Sequence, residues 1–181
     1  ASLLGAGVVG TETGAPNEEY RHDENTHTEE ALQLFIKNLR PIVDYAEKMG
    51  VIVAIEPVYK HIVCNPKRAR RVLDAIDSPN LQIIFDPVNL LDICNYKERD
   101  AIIAEAIELL GDDVAMIHIK DFVVENGALK SVAAGTGEMD YTQIIRFIKE
   151  RKPHVHVTLE DTVPENAVAA RKYIQRLWDE M

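Results

Sequence analysis

Four side chains in this sequence have the types and spacing to do chemistry together. Glu56, Asp86, His118 and Glu160 each close a short apolar run: VIVAIE, LQIIFD, VAMIH and VHVTLE. Three carboxylates brought together without a counter-charge would repel one another, and taking an ionised group out of water costs several kcal/mol even after relaxation. A divalent cation resolves both problems. Oxygen donors with one imidazole suit Mn2+ or Mg2+ first, with Co2+ or Zn2+ as alternatives, so the set implies one divalent metal ion, Mn2+ ahead of the others. Taken singly, each residue says less. A strand-end acid is more often solvated or a helix cap, and a lone inward histidine such as His156 is more often a satisfied core or supporting residue than a ligand.

Strand phase tests whether the four can meet. Successive strand residues point to opposite faces, so Glu56 shares its face with Ala54 and Ile52, Asp86 with Ile84 and Gln82, His118 with Met116 and Val114, and Glu160 with Thr158 and His156. The opposite face reads Val51, Val53, Ile55, then Ile83, Phe85, then Ile117, Ile119, then Val155, Val157, Leu159. That greasier side is the one covering helices would meet, which turns the four polar ends inward.

The elements that must position them alternate strand and helix. Strands are expected at Val8 to Glu12, Val51 to Glu56, Leu81 to Asp86, Val114 to Lys120 and Val155 to Glu160. Helical periodicity fills the intervals at Thr28 to Met49, Pro66 to Ile76, Lys97 to Leu110, Tyr141 to Glu150 and Glu165 to Asp179. Repeated βα units of this length imply a parallel α/β sheet. In the first of these helices Leu32, Phe35, Ile36, Leu39, Val43 and Ala46 form the apolar stripe, and Gly50 is its stop. The polar, unperiodic segment from Gly14 to Thr28 is a long loop after the first strand, and such loops usually frame a site. Nothing in the sequence divides the chain, so residues 1–181 are expected to be a single domain. The run Ala1 to Leu4 reads as the tail of a helix, and with no initiator Met the beginning is expected to be missing.

Composition narrows the function. Thirty acidic against twenty basic residues give a net charge of −10, a field that repels phosphate backbones and anionic membranes. The sequence points to neither a nucleic-acid nor a membrane partner. Cys64 and Cys94 lie thirty residues apart with no CxxC pairing, which excludes a zinc ribbon or disulfide framework and fits a reducing cytoplasm. No apolar run approaches the roughly 18 to 20 residues of a membrane span, and no signal-peptide pattern opens the chain.

Five motifs occur in order: AIEPVYKH (54 to 61), IIFDPVNLL (83 to 91), MIHIKD (116 to 121), GTGEMDY (135 to 141) and TLED (158 to 161). With this ordered set the chain resembles the xylose isomerase-like superfamily of TIM barrels, in particular its sugar phosphate isomerase/epimerase branch. The resemblance implies a (β/α) barrel of which this chain is the C-terminal part, strands four to eight of eight, a partial barrel. It implies that Glu56, Asp86, His118 and Glu160 are the metal ligands, and that Glu56 and Glu160 are also an acid/base pair flanking the carbon whose proton moves. The activity implied is isomerisation or epimerisation of a sugar or sugar phosphate through a metal-stabilised enediolate. His61, Lys120, Glu12 and Asn89 are candidates to hold substrate hydroxyls. Lys120 shares the inward phase of His118 and would also pair with charged neighbours, and Asp121 is expected to cap the loop that follows. The glycines of GTGEMDY invite a phosphate-cradle reading, but a tight turn with Asp140 capping the next helix accounts for them.

Three other readings stay open. A dehydratase or lyase on a polyol or keto acid would use the same proton removal. An apurinic endonuclease of the same superfamily would need more metals and more inward histidines. A noncatalytic partial barrel would bind metal or sugar alone. A doubly wound sheet is the architectural alternative, but the glycine fingerprint of such folds is absent. Exposed parallel edges would favour homo-oligomers.

Overall fold

The computed structural model describes residues 1–181, and the chain divides into two compact units: Ala1–Phe85 with Asp113–Ala115, and Asp86–Asp112 with Met116–Met181. In the first unit a 3₁₀ turn (Ser2–Leu4) leads into β1 (Val8–Glu12), α1 (Glu29–Met49), β2 (Ile52–Glu56), α2 (Pro66–Ile76) and β3 (Leu81–Phe85). Most of β4 (Val114–Ile119) belongs to the second unit, with α3 (Arg99–Leu110), β5 (Asp121–Glu125), β6 (Ala128–Val132), α4 (Thr142–Arg151), β7 (His156–Leu159) and α5 (Pro164–Glu180). The five parallel strands follow the order β1-β2-β3-β4-β7. Each expected strand is present: β1 has its expected bounds, β2, β3 and β4 are shorter by one residue at one end, and β7 by one at each end.

Local chemistry explains the boundaries. Thr28 caps α1 by accepting from the Ala31 amide at 3.2 Å, and Gly50 closes it at φ 63, a left-handed conformation open to glycine. Asn65 caps α2 by accepting from the Arg68 amide at 2.9 Å, with Pro66 in the first turn. The core of the first unit forms where α1 buries Leu32, Ile36, Leu39, Val43 and Ala46 and α2 buries Ala69, Val72, Leu73 and Ile76. Phe35 departs from the expected stripe: it is only half-buried and lines a cavity instead.

Two features differ from the sequence reading. Between β4 and α4 the chain forms an antiparallel hairpin, β5 against β6, turning at Asn126 and Gly127 with φ of 53 and 75. An Asn-Gly pair with both φ positive is the signature of a tight hairpin turn. The second difference concerns β7. His156 and Thr158 are exposed, and on the other face Val157 is 42% exposed, so His156 is no core residue. The reason is position, since β7 ends the strand order and has only β4 beside it.

An ion pair joins the start of α1 to α2. Arg71 donates to Glu29 at 2.5 and 3.0 Å, and Gln33 adds a bond at 2.9 Å. Arg71 first, and Gln33 second, hold the Glu29 carboxyl down to about 2 from an ordinary 4.5. A depressed folded pKa stabilises the fold above the unfolded value, and that contribution disappears as pH falls through the folded one. Stability of Glu29→Gln should therefore fall less steeply than that of the wild type as pH drops from 4.5 to about 2. Urea melts across that range test it, and superimposable pH profiles would refute the assignment. Because the pair is exposed, added salt should shrink the difference.

Candidate active site

Asp86 directly follows β3, and its carboxylate is fixed at both oxygens. Oδ1 accepts from the backbone amides of Val88 and Asn89 at 2.9 and 3.1 Å, and Oδ2 lies 2.9 Å from Lys120 Nζ. Lys120 also donates to Glu160 Oε2 at 2.9 Å, with Asp161 at 3.9 Å. Glu160 Oε1 stands 2.9 Å from His118 Nδ1, and the Glu160 amide donates to the Ile119 carbonyl, which continues the β4–β7 ladder to this point. Asp86, His118, Glu160 and Lys120 thus form one charged cluster in the second unit. Asp86 is 1% and Lys120 6% exposed, which makes their pairing obligatory.

The cluster shifts proton affinities in consistent directions. Burial would depress Lys120, but Asp86 and Glu160 outweigh it and raise the ammonium above its ordinary value. Burial would raise Glu160, but the hydrogen bond and charge of Lys120, then His118, hold its carboxyl below the usual glutamate value.

The remaining candidates lie in the first unit, apart from Asn89. Glu56 ends β2, is 6% exposed, and faces Glu12 across the parallel register of β1 and β2. His61 follows β2, with Nδ1 3.7 Å from Glu12 Oε2. Both border a cavity of about 540 Å³ lined also by Thr11, Thr13, Tyr20 and Phe35. Its wall is the long loop after β1, which is polar yet well tied. Asn17 donates to Asp23 at 3.0 Å, Asp23 accepts from the Asn25 amide at 2.9 Å, and Arg68 donates to the carbonyls of Ile62, His27 and Thr28 at 2.7, 3.0 and 2.9 Å. Asn89 supplies its backbone amide to Asp86.

Asp121 and Tyr141 emerge as supports of Lys120. The Tyr141 hydroxyl, 1% exposed, donates to the Lys120 carbonyl. Burial first, then the charges of Asp121 and Asp86, raise the Tyr141 pKa and keep it a donor. Asp121, 1% exposed, accepts from four backbone amides: Phe122 at 2.9, Gly135 at 3.1, Gly137 at 2.9 and Met139 at 2.8 Å. The Thr136 and Glu138 amides go to the Ala133 and Phe122 carbonyls. Every amide from Gly135 to Met139 is therefore committed within the protein, and the loop is a closed turn with none of these amides left for a phosphate. A side chain at Gly137 would sit 2.1 Å from the Phe122 carbonyl, so only glycine fits there. The helix cap falls on Tyr141, one residue later than expected, and Asp140 beside it accepts from the amide of Thr142, the first residue of α4, at 2.8 Å.

A family model described as Xylose isomerase-like TIM barrel matches residues 1–177. The chain belongs to that family. Among curated relatives of this xylose isomerase-like chain, 3-oxo-isoapionate decarboxylase of Pectobacterium atrosepticum is 30% identical over 147 residues, 78% of this chain and 49% of the relative. A probable L-ribulose-5-phosphate 3-epimerase of Mycoplasma pneumoniae is 23% identical over 164 residues, 84% of this chain and 51% of the relative. The chain thus spans about half the length of these relatives. Of solved structures, a D-tagatose 3-epimerase-like protein superposes with TM-score 0.78 at 19% identity, covering 99% of this chain and 65% of that one. A xylose isomerase-like TIM barrel protein from Mycobacterium smegmatis, in complex with magnesium, superposes with TM-score 0.71 at 18% identity over 99% and 63%. These likenesses give the TIM-barrel type of fold.

The amide count at Asp121 yields a stability prediction. Asp121→Ala would leave four backbone donors without an acceptor, those of Phe122 and Met139 buried and those of Gly135 and Gly137 partly so, and should lower unfolding free energy by about 3 to 5 kcal/mol. Urea denaturation measures it. A loss under about 1 kcal/mol would show that the loop holds its shape without the carboxylate.

Proposed function

We propose that the protein is a divalent-metal-dependent isomerase or epimerase of a small hydroxylated sugar, with Glu56, Asp86, His118 and Glu160 as the ligand set. The observation that carries this reading lies within the second unit, where Asp86, His118 and Glu160 each offer one ligand atom and these atoms lie within 4.8 Å of one another; Glu56 joins the set by its place in the AIEPVYKH motif. Carboxylates brought this close would hold a divalent cation, which would offset their mutual repulsion. Three carboxylates and an imidazole suit Mn2+ or Mg2+ ahead of Co2+ and Zn2+.

An ion held there would polarise a carbonyl oxygen and stabilise the charge left when the α-proton departs. The protein's own residues do the rest. Glu160, held below its ordinary pKa, is a carboxylate ready to accept a proton, and Glu56 is the partner that returns it on the other side of the reacting carbon. Lys120 has a third N–H beyond those used by Asp86 and Glu160, which suits it to a substrate oxygen. His61 and Glu12 border the cavity in which further hydroxyls would be bound, with Asn89 a further contact. The two cysteines are free, Cys64 buried and Cys94 exposed, the state a reducing cytoplasm maintains.

A carboxy-lyase is the second reading, favoured by the 30% identical decarboxylase. Loss of CO2 from a β-keto acid and removal of an α-proton leave the same kind of electron-rich centre, so one site serves either.

Calorimetric titration of metal-free protein with Mn2+ tests the ligand set. One ion per chain is expected, with affinity at least about tenfold weaker in Glu160→Gln. Absence of binding, or unchanged affinity in the variant, would sink the metal reading. Incubation with ketoses in D2O, with and without phosphate, then separates the reactions. Deuterium entering an intact substrate identifies the isomerase or epimerase, and deuterium appearing only with CO2 release from a keto acid identifies the lyase.

A further inference from the structure

We infer that Lys120 is a resident counter-cation that limits the charge of the ion the site accepts, in addition to any contact with substrate. The inference rests on the ligand set proposed above and concerns a residue outside it. Lys120 Nζ lies 2.9 Å from Asp86 Oδ2 and 2.9 Å from Glu160 Oε2, so it shares two of the carboxylates with the ion. With only 7% of its side chain exposed, it cannot swing into solvent when an ion enters. Asp86 is held in place independently by the Val88 and Asn89 amides. That carboxylate therefore needs Lys120 for charge more than for placement.

Within the second unit Asp86 and Glu160 attract an ion, and the ammonium between them repels it, with Asp161 3.9 Å from that ammonium. The repulsion grows with the charge of the ion and is strong where water is excluded. Lys120 consequently weakens every cation, in proportion to the cation's own charge.

Titration of wild type, Lys120→Met and Lys120→Arg with Mn2+, and with Tb3+ followed by its luminescence, tests this. Lys120→Met is expected to bind Mn2+ about tenfold tighter, and Tb3+ about thirtyfold tighter because the repulsion scales with ion charge. Lys120→Arg, which keeps the charge, should stay within about threefold of the wild type for both ions. If Lys120→Met does not fold, Lys120→Gln reads the same loss of charge. Neutral variants that bind Mn2+ no tighter than the wild type, or that lose both ions equally, would make Lys120 a strut and overturn the inference while leaving the ligand set intact. A wild type that binds no divalent ion would overturn both.

Discussion

One buried ammonium shared by two carboxylates organises the second unit. Neither Lys120 nor Asp86 is tenable alone at 6% and 1% exposure, because each charge would forfeit its hydration without a partner. Together they satisfy one another, Asp86 Oδ1 is taken by two amides, and Glu160 Oε1 stands 2.9 Å from His118 Nδ1. Consecutive residues extend the arrangement. Lys120 is fixed through its carbonyl by Tyr141, Asp121 gathers the glycine loop, and Phe122, fully buried, packs edge-on against Tyr96. A disturbance at any of the three reaches the ion pair through the backbone.

The parallel strands and the polar ends were legible because two simple periods govern them. A buried strand reads as a β-branched run, and the alternation of its side chains turns the polar end of each strand away from that strand's greasier face by counting alone. Phase also put Lys120 beside His118, and the bland reading of the GTGEMDY glycines agrees with the amides that Asp121 collects. The hairpin at 121–132 was missed although Asn126–Gly127 marks it, because VVEN and ALKS alternate too weakly for a strand period to stand out beside the motif before it. Tyr141 was hidden for another reason. Its hydroxyl meets a carbonyl 21 residues away, and nothing in local sequence reports a contact at that separation. Exposure of His156 was likewise illegible, since phase assigns a face but cannot say whether anything covers it.

Family membership fixes less about the reaction than about the scaffold. The curated relatives include a decarboxylase and an epimerase, and one fold commonly carries several chemistries. What these two reactions share is an electron-rich carbon next to a carbonyl. A site that neutralises that charge is therefore the constant part, and the reaction is chosen by which bond lies over the carbonyl plane and by which groups hold the rest of the substrate. Those groups come from loops after the strands, the part of the chain in which sequence varies most freely.

The loop after β1 is informative in this respect. The 540 Å³ cavity beside Glu12 and His61 has no lysine or arginine among its lining residues and carries hydroxyls from Thr11, Thr13 and Tyr20 with the amide of Asn38. Phosphate recognition relies on guanidinium or ammonium groups, or on free backbone amides at a turn or helix start. Here Glu12 adds negative charge, and the glycine-loop amides near Asp121 are all committed. An anion in that cavity would face the Glu12 carboxylate, and His61, 3.7 Å from it, is the one lining side chain able to carry a positive charge. The wall of this cavity is therefore one of hydroxyl and amide groups around a carboxylate, and the bonds of Asp23 and Arg68 hold the loop that carries it in shape.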